Sequence, residues 1–207
     1  MLATPRPVPY AVWKRTLDII ASAILLLVLF PVFVIIAIAV KLTSRGPVFY
    51  KSDRVGLGGR PIDFVKFRTM CMDADAKLAE LVEQNEKDGP IFKIKNDPRT
   101  TKVGRILRKF SLDELPQLIS VFKGDMSMVG PRPPLKREVA LYDERTMQRL
   151  TIKPGITCYW QVMGRSDLSF QEWIDLDMRY IEEMSFWVDL KIMLLTPTAV
   201  LKGKGAY

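Results

Sequence analysis

From Ile19 to Val40 every residue is apolar except Ser22, a run of 22 residues. As a helix rising about 1.5 Å per residue it reaches roughly 33 Å, enough to cross a bilayer. The run therefore sets the first constraint on the chain, which is that one segment faces lipid. A cleaved signal peptide fits poorly, because its apolar core is shorter and no small-residue cleavage site follows before Lys41. Two features complicate a plain span. Pro31 sits in mid-run, where it removes a backbone donor and kinks a helix. Basic residues also flank both ends, Arg6, Lys14 and Arg15 before the run and Lys41, Arg45, Lys51 and Arg54 after it, so the preference of cations for the cytoplasmic side gives no direction. Two readings stay open at this point: a kinked single span, which is the plainer one, and a re-entrant hairpin that enters and leaves on the same face.

The formal charge of +8 implies an anionic partner, whether nucleic acid, phosphorylated small molecules or an acidic membrane surface. The absence of histidine removes the commonest general base and the commonest transition-metal ligand. Any metal must then sit on oxygens, which suits Mg²⁺. Cys71 and Cys158 have no repeated ligand spacing and read as buried thiols in a protein facing the cytoplasm.

Beyond Gly46-Pro47, the runs Val48 to Lys51 and Ile62 to Phe67 read as strands of a β-hairpin closed by Gly56, Gly58 and Gly59. Those glycines also resemble a phosphate cradle, but no helix follows directly to lend its dipole. The stretch Asp73 to Asp88 reads as a charged amphipathic helix with Leu78, Leu81 and Val82 on its apolar side. Ile156 to Met163 reads as a strand. Ser169 to Met184 reads as a helix opened by a capping box of Ser169 and Glu172. The final apolar stretch, Phe186 to Leu201, either lies in a membrane interface or packs on the domain.

Chemistry concentrates in the middle of the chain. Between Lys93 and Lys109 lie seven basic residues against the single acid Asp97, and this run leads into Ser111-Leu112-Asp113-Glu114. The tetrapeptide has the form of a capping box, with Ser111 capping a helix and Glu114 reaching back to it. A helix start also favours carboxylates and bound phosphates, so capping and function are compatible. In Met128 to Pro134, three prolines and a glycine hold Arg132 rigidly. Rigid arginines suit bidentate phosphate contacts, although a proline-rich connector with a solvated arginine is an equal reading.

Together these segments resemble the bacterial sugar transferase family, the monotopic phosphoglycosyl transferases that start glycan assembly on undecaprenyl phosphate. The resemblance rests on Lys14-Arg15 with Asp18, Gly46-Pro47-Val48-Phe49, Lys66 to Met70, Ser111 to Gln117 and Lys123 to Pro133, in one order along nearly the whole chain. The C-terminal third, with Gly155-Ile156-Thr157, Gly164-Arg165 and Trp187 to Lys191, looks like the catalytic end of the larger hexose-phosphate transferases. Those carry further N-terminal membrane helices and a further domain, so the chain reads as either a short member or the catalytic end of a longer one. One departure is Phe30 before Pro31, where many members have serine.

The resemblance implies an α+β fold: a re-entrant membrane helix kinked at Pro31 in residues 1–45, then a small, mostly helical cytoplasmic catalytic domain with a β-hairpin and interfacial helices in 46–207. It implies transfer of a sugar-1-phosphate from a UDP-sugar to undecaprenyl phosphate with release of UMP, at the cytoplasmic face of a bacterial inner membrane. Asp113 is then the nucleophile, Glu114 a metal-binding or proton-managing neighbour, and both are candidate Mg²⁺ ligands. Lys66, Arg68, Arg108, Arg132 and Arg165 are the expected substrate-binding cations. The implied partners are the UDP-sugar, the lipid phosphate and the bilayer, with no nucleic acid and with room for a homo-oligomer. A competing reading from another class is a membrane-tethered, noncatalytic basic protein that binds nucleic acid or anionic lipid. It would use the Lys93 to Lys109 cations and have no need of Asp113 and Glu114.

Overall fold

The structure is a computed structural model in which residues 11–86, 88–203 and 205 are described; the flanking Arg6 lies outside them. The apolar run forms two helices, α1 (Val12–Val28) and α2 (Phe30–Thr43), which meet at Leu29 with a 60° bend. Pro31 stands in the first turn of α2, where its missing N–H is no loss. Its ring crowds the carbonyls of the preceding turn, so the break falls just ahead of the proline. Among the described residues no single helix is long and apolar enough to cross a membrane, whereas the bent pair is so by length and composition. Ile20, Ile24, Leu27, Phe30, Ile35 and Leu42 are left exposed along it.

The other face of α1 is anchored. Lys14, Asp18 and Ser22 recur at helical spacing and are buried. Lys14 Nζ donates to Val129 O at 3.0 Å, the Tyr180 hydroxyl at 2.8 Å and Asp189 Oδ2 at 2.5 Å. Asp18 Oδ1 accepts from Met128 N at 2.8 Å and Ser127 Oγ at 3.0 Å. A buried charge that lost its partner would be strongly destabilising, so this stripe admits one docking register for α1.

The hairpin forms as the sequence predicts, but longer: β1 (Phe49–Val55) pairs antiparallel with β2 (Pro61–Phe67), Phe49 opposite Phe67 and Val55 opposite Pro61. Gly58 and Gly59 close its turn with positive φ of 62° and 79°, a conformation that favours glycine. The predicted helix over 73–88 does not form. Turns lead instead to the short α3 (Leu78–Leu81) and a 3₁₀ turn at Val82–Gln84. Leu81 is the only buried residue of those two elements, and without a buried apolar face a helix of that length lacks tertiary support.

Next come α4 (Lys102–Lys109), capped by Thr101 Oγ1 accepting from Gly104 N at 2.9 Å, a 3₁₀ turn at Leu112–Glu114, and α5 (Gln117–Lys123), ended by Gly124 at φ 100°. Strand β3 (Ser127–Val129) pairs in parallel with β4 (Gly155–Thr157), and α6 (Lys136–Val139) and α7 (Glu144–Met147) lie in the crossover. The predicted strand 156–163 ends at Thr157, and the chain turns into α8 (Tyr159–Met163). There Trp160 stacks on Trp173 at 4.2 Å, a tertiary contact that overrides the local β preference. Helix α9 (Phe170–Glu183) opens with the predicted capping box, and α10 (Phe186–Lys202) closes the fold.

The architecture is thus α+β, with helices around two two-stranded sheets among the described residues. Phe64 from β2, Leu118 and Val121 from α5, Val129 from β3, Tyr180 from α9 and Ile192 from α10 share one core. Cys158 is buried as expected, whereas Cys71 is only partly covered, and both are free thiols.

Candidate active site

A cavity of about 270 Å³ opens where β2, α4, the 3₁₀ turn and the loop after β3 converge. Lys66, Arg108, Asp113, Glu114, Arg132 and Arg165 all line it. Each arrives for a local reason. Lys66 stands two residues from Phe64 on β2, on the same face of the strand, so burying Phe64 in the core aims Lys66 at the cavity. Helix α4 is seated on the chain at Thr69: Thr101 N donates to Thr69 O at 2.9 Å, and a β-carbon on Gly104 would stand 2.1 Å from that same carbonyl oxygen. From this seat Arg108 Nε donates to Thr69 Oγ1 at 3.0 Å and Nη1 to Thr100 Oγ1 at 3.3 Å.

The acidic pair does not follow the capping geometry. Ser111 adopts a left-handed conformation, φ 52°, and makes no side-chain cap bond. Asp113 and Glu114 lie in a 3₁₀ turn, with successive side chains about 120° apart rather than the 100° of an α-helix. The two carboxylates therefore meet different surroundings. Glu114 is clamped by Arg132, whose Nη2 donates to Oε1 at 2.6 Å and Nη1 to Oε2 at 3.1 Å. Burial alone would push Glu114 up, but the Arg132 guanidinium outweighs it and holds the carboxyl at about 2. Asp113, 5% exposed, makes no hydrogen bond or ion pair among the described residues. Burial first, and then the charge of Glu114, raise its pKa, while Lys66, Arg108 and Arg132 pull it back. Burial brings Lys66 down to about 8 against the pull of Asp113, and it lowers Arg108 as well.

One expected cation is elsewhere. Arg68 donates to Pro47 O at 2.6 Å and Ser44 O at 3.0 Å, bracing the junction after α2, and it does not line the cavity. In its place come two arginines that no motif had marked. Arg54, counted in the sequence only as a flank of the apolar run, lines the cavity and donates to Pro133 O at 2.9 Å; burial lowers its pKa to about 10. Arg149, buried, donates to Asp177 at 2.8 Å, the Tyr142 hydroxyl at 2.7 Å and Arg132 O at 3.2 Å. Both hold the backbone of the Arg132 loop, so its rigidity comes from these donors as well as from its prolines. Arg165, at φ 55°, donates to Ser111 Oγ at 3.1 Å. The only two non-glycine residues with positive φ among those described are thus tied to each other beside Asp113, as strained backbone at working sites often is.

No group of three or more carboxylate or cysteine side chains that could hold a metal occurs among the described residues. Mg²⁺, however, commonly takes only one or two carboxylates from a protein and the rest from water and substrate phosphates. Asp113 with Glu114 is a donor set of that kind.

The cavity gathers Lys66, Arg108, Arg132 and Arg165 around Asp113, a carboxylate that makes no hydrogen bond or ion pair among the described residues. The profile of the bacterial sugar transferases matches residues 9–203, and the chain belongs to that family. Over 194 residues it is 44% identical to the galactosyl transferase CpsE of Streptococcus agalactiae, covering 93% of this chain and 43% of that protein. Over 198 residues it is 40% identical to the exopolysaccharide production protein ExoY of Rhizobium meliloti, covering 94% and 88% respectively. Over 201 residues it is 41% identical to the undecaprenyl-phosphate galactose phosphotransferase of Salmonella typhimurium, covering 94% and 41%. The chain therefore spans less than half the length of the first and third of these relatives and most of the second.

Proposed function

We propose that this protein transfers a sugar-1-phosphate from a UDP-sugar to undecaprenyl phosphate at the cytoplasmic face of a bacterial inner membrane, through a covalent intermediate on Asp113. The observation that carries the reading is the division between the two carboxylates. Glu114 is clamped by Arg132, whereas Asp113 is buried, faces the cavity and makes no hydrogen bond or ion pair among the described residues. A carboxylate that serves only structure is paired; one kept unpaired among cations is poised for an electrophile that the same cations attract.

In the first displacement an Asp113 oxygen forms a bond to the sugar-bearing phosphorus as the bond to the bridging oxygen breaks, and UMP leaves with the electron pair. In the second, an oxygen of the lipid phosphate bonds to the same phosphorus, the acyl-phosphate bond breaks, and the carboxylate is restored. Lys66 and Arg108 offset the charge of the diphosphate, and Arg132 holds Glu114 ionised beside it. Asp113, together with the lone pairs that the Arg132 clamp leaves on Glu114, would hold Mg²⁺, which when bound supplies further charge neutralisation at the diphosphate. The exposed apolar side chains of the bent pair α1–α2 support a seat in one leaflet, where the lipid acceptor resides. The relatives named as a galactosyl transferase, an exopolysaccharide production protein and a galactose phosphotransferase support glycan assembly as the setting.

The test is a single-turnover experiment with UDP-sugars, Mg²⁺ and no lipid acceptor. The expected result is about one UMP released per active site, together with a protein mass increased by one sugar phosphate. Asp113→Asn, nearly the same size but a poor nucleophile, should give neither. Steady UMP release with no adduct under rapid quench, and intersecting rather than parallel initial-rate plots, would mean direct attack by the lipid phosphate in a ternary complex.

A further inference from the structure

Beside the cavity lies a second concavity, of about 490 Å³, lined by Lys95, Arg105, Arg108, Lys109, Asp167 and Gly203 among others. The two spaces meet: Arg108, Asp97 and Gly205 line both. Helix α4 supplies three of the cations. Arg105, Arg108 and Lys109 stand at i, i+3 and i+4 and so share one face, while Val103 and Leu107, on the opposite side, pack with Ile36 and Val40 of α2. The helix is thus wedged between the bent apolar pair and the groove.

The charge in this groove is unbalanced. Asp97 is already taken by Arg99, whose Nη2 lies 2.7 Å from Oδ2, which leaves Asp167 against four cations. Lys95, Arg105 and Lys109 make no ion pair among the described residues. Like charges converging on one concavity repel each other and add nothing to the fold; they suit an anion that comes and goes. Apolar surface adjoins them, since Ile106 of α4 is 58% exposed and Leu201, two residues before Gly203, is 73% exposed.

We propose that this groove captures the phosphate of the acceptor lipid, with Arg105, Lys109 and Lys95 as its cations and Arg108 as the side chain shared with the donor site. The inference rests on the function proposed above. In-line displacement requires the acceptor oxygen to reach phosphorus opposite the Asp113 bond, which is the position that UMP has just left. The acceptor phosphate therefore cannot wait inside the donor cavity and must enter it from a space that connects with it. A phosphate carrying a long apolar chain also needs cations next to apolar surface and close to the lipid-facing helices, and this groove offers both.

The experiment uses the full chain in detergent micelles and reads two quantities: the affinity for undecaprenyl phosphate in the absence of donor, and UMP release with UDP-sugar in the absence of acceptor. Arg105→Gln with Lys109→Gln should weaken acceptor binding about tenfold or more, from the loss of two charge-assisted contacts. UMP release, donor KM and melting temperature should stay within about twofold or a few degrees of wild type. Lys102→Gln removes a charge from the same helix outside the groove and should leave acceptor affinity unchanged. Unchanged affinity in the double variant, an equal loss in Lys102→Gln, or a loss of donor affinity alongside would overturn the proposal. So would a double variant that binds undecaprenyl phosphate normally in micelles but no longer binds vesicles of anionic phospholipid, because the groove would then read the membrane surface. If the wild type released no UMP from any UDP-sugar, the proposed reaction would fall, while acceptor binding by the variants would still decide the groove.

Discussion

Replacing Arg132 by alanine removes both donors that hold Glu114 and strands a carboxylate whose side chain is only 13% exposed. The cost can be worked from the ionisation of Glu114. The cations around it, Arg132 foremost and then Lys66 and Arg54, draw that carboxyl from its ordinary 4.5 to about 2 against its burial, and at about 1.4 kcal/mol per pH unit the folded state gains about 3 kcal/mol at neutral pH, most of it through Arg132. Because the folded value is depressed, this contribution is complete above the unfolded value and is lost as the pH falls through about 2. Arg132→Ala should therefore lose about 3 kcal/mol at pH 7, within the range for breaking a buried pair. For a chain of this size that lowers the melting temperature by roughly 6 to 12 °C. Thermal unfolding in detergent at pH 7 and at pH 3 is the assay, with Glu114→Gln as the second arm of a double-mutant cycle. In the Glu114→Gln background no charge is stranded, and Arg132→Ala should cost under about 1 kcal/mol. A loss below about 1 kcal/mol in the wild-type background, or an equal loss in both backgrounds, would refute the argument that Arg132 is spent on Glu114.

Three further outcomes follow from the geometry. Lys66 titrates near 8, so kcat/KM should fall as the pH rises through about 8 and the cation is lost, and Lys66→Arg should move that limb above pH 10; a pH profile with UDP-sugar as the varied substrate checks both. Gly104→Ala sets a methyl group against Thr69 O, where no space exists, and should cost about 3 kcal/mol or unseat α4 altogether, measured by denaturant unfolding. Cysteine-accessibility labelling of intact cells should find residues before Val12 and residues after Thr43 on the same, cytoplasmic side; labelling of the two ends from opposite sides would make the bent pair a span.

Much of the fold was legible in the sequence because the signals are local. Pro31 within an apolar run breaks a helix whatever surrounds it, and two glycines at positive φ close a hairpin between alternating strands. Ser169 with Glu172 caps a helix from within four residues. The same tetrapeptide form at Ser111 misled, because Arg165, 54 positions away, takes the Ser111 hydroxyl and Arg132, 18 positions away, takes Glu114. The predicted helix over 73–88 failed for the complementary reason. Its charge pattern suited a helix, but it buries too little apolar surface to hold one.

The sequence by itself determined that the chain carries a bent apolar segment, a basic middle and an adjacent acid pair, since charge, chain stiffness and apolar content belong to residues before they have neighbours. Only the tertiary structure decided which acid an arginine clamps. Asp113 and Glu114 differ by one position and by one methylene, and their difference in role comes from what distant segments bring to each. Likewise Arg68 and Arg54 are indistinguishable as residue types, yet one turns to the carbonyls of Ser44 and Pro47 while the other lines the cavity. The direction a long side chain takes is set by the burial of its neighbours and by the carbonyls within reach, and those are known only once the chain has folded.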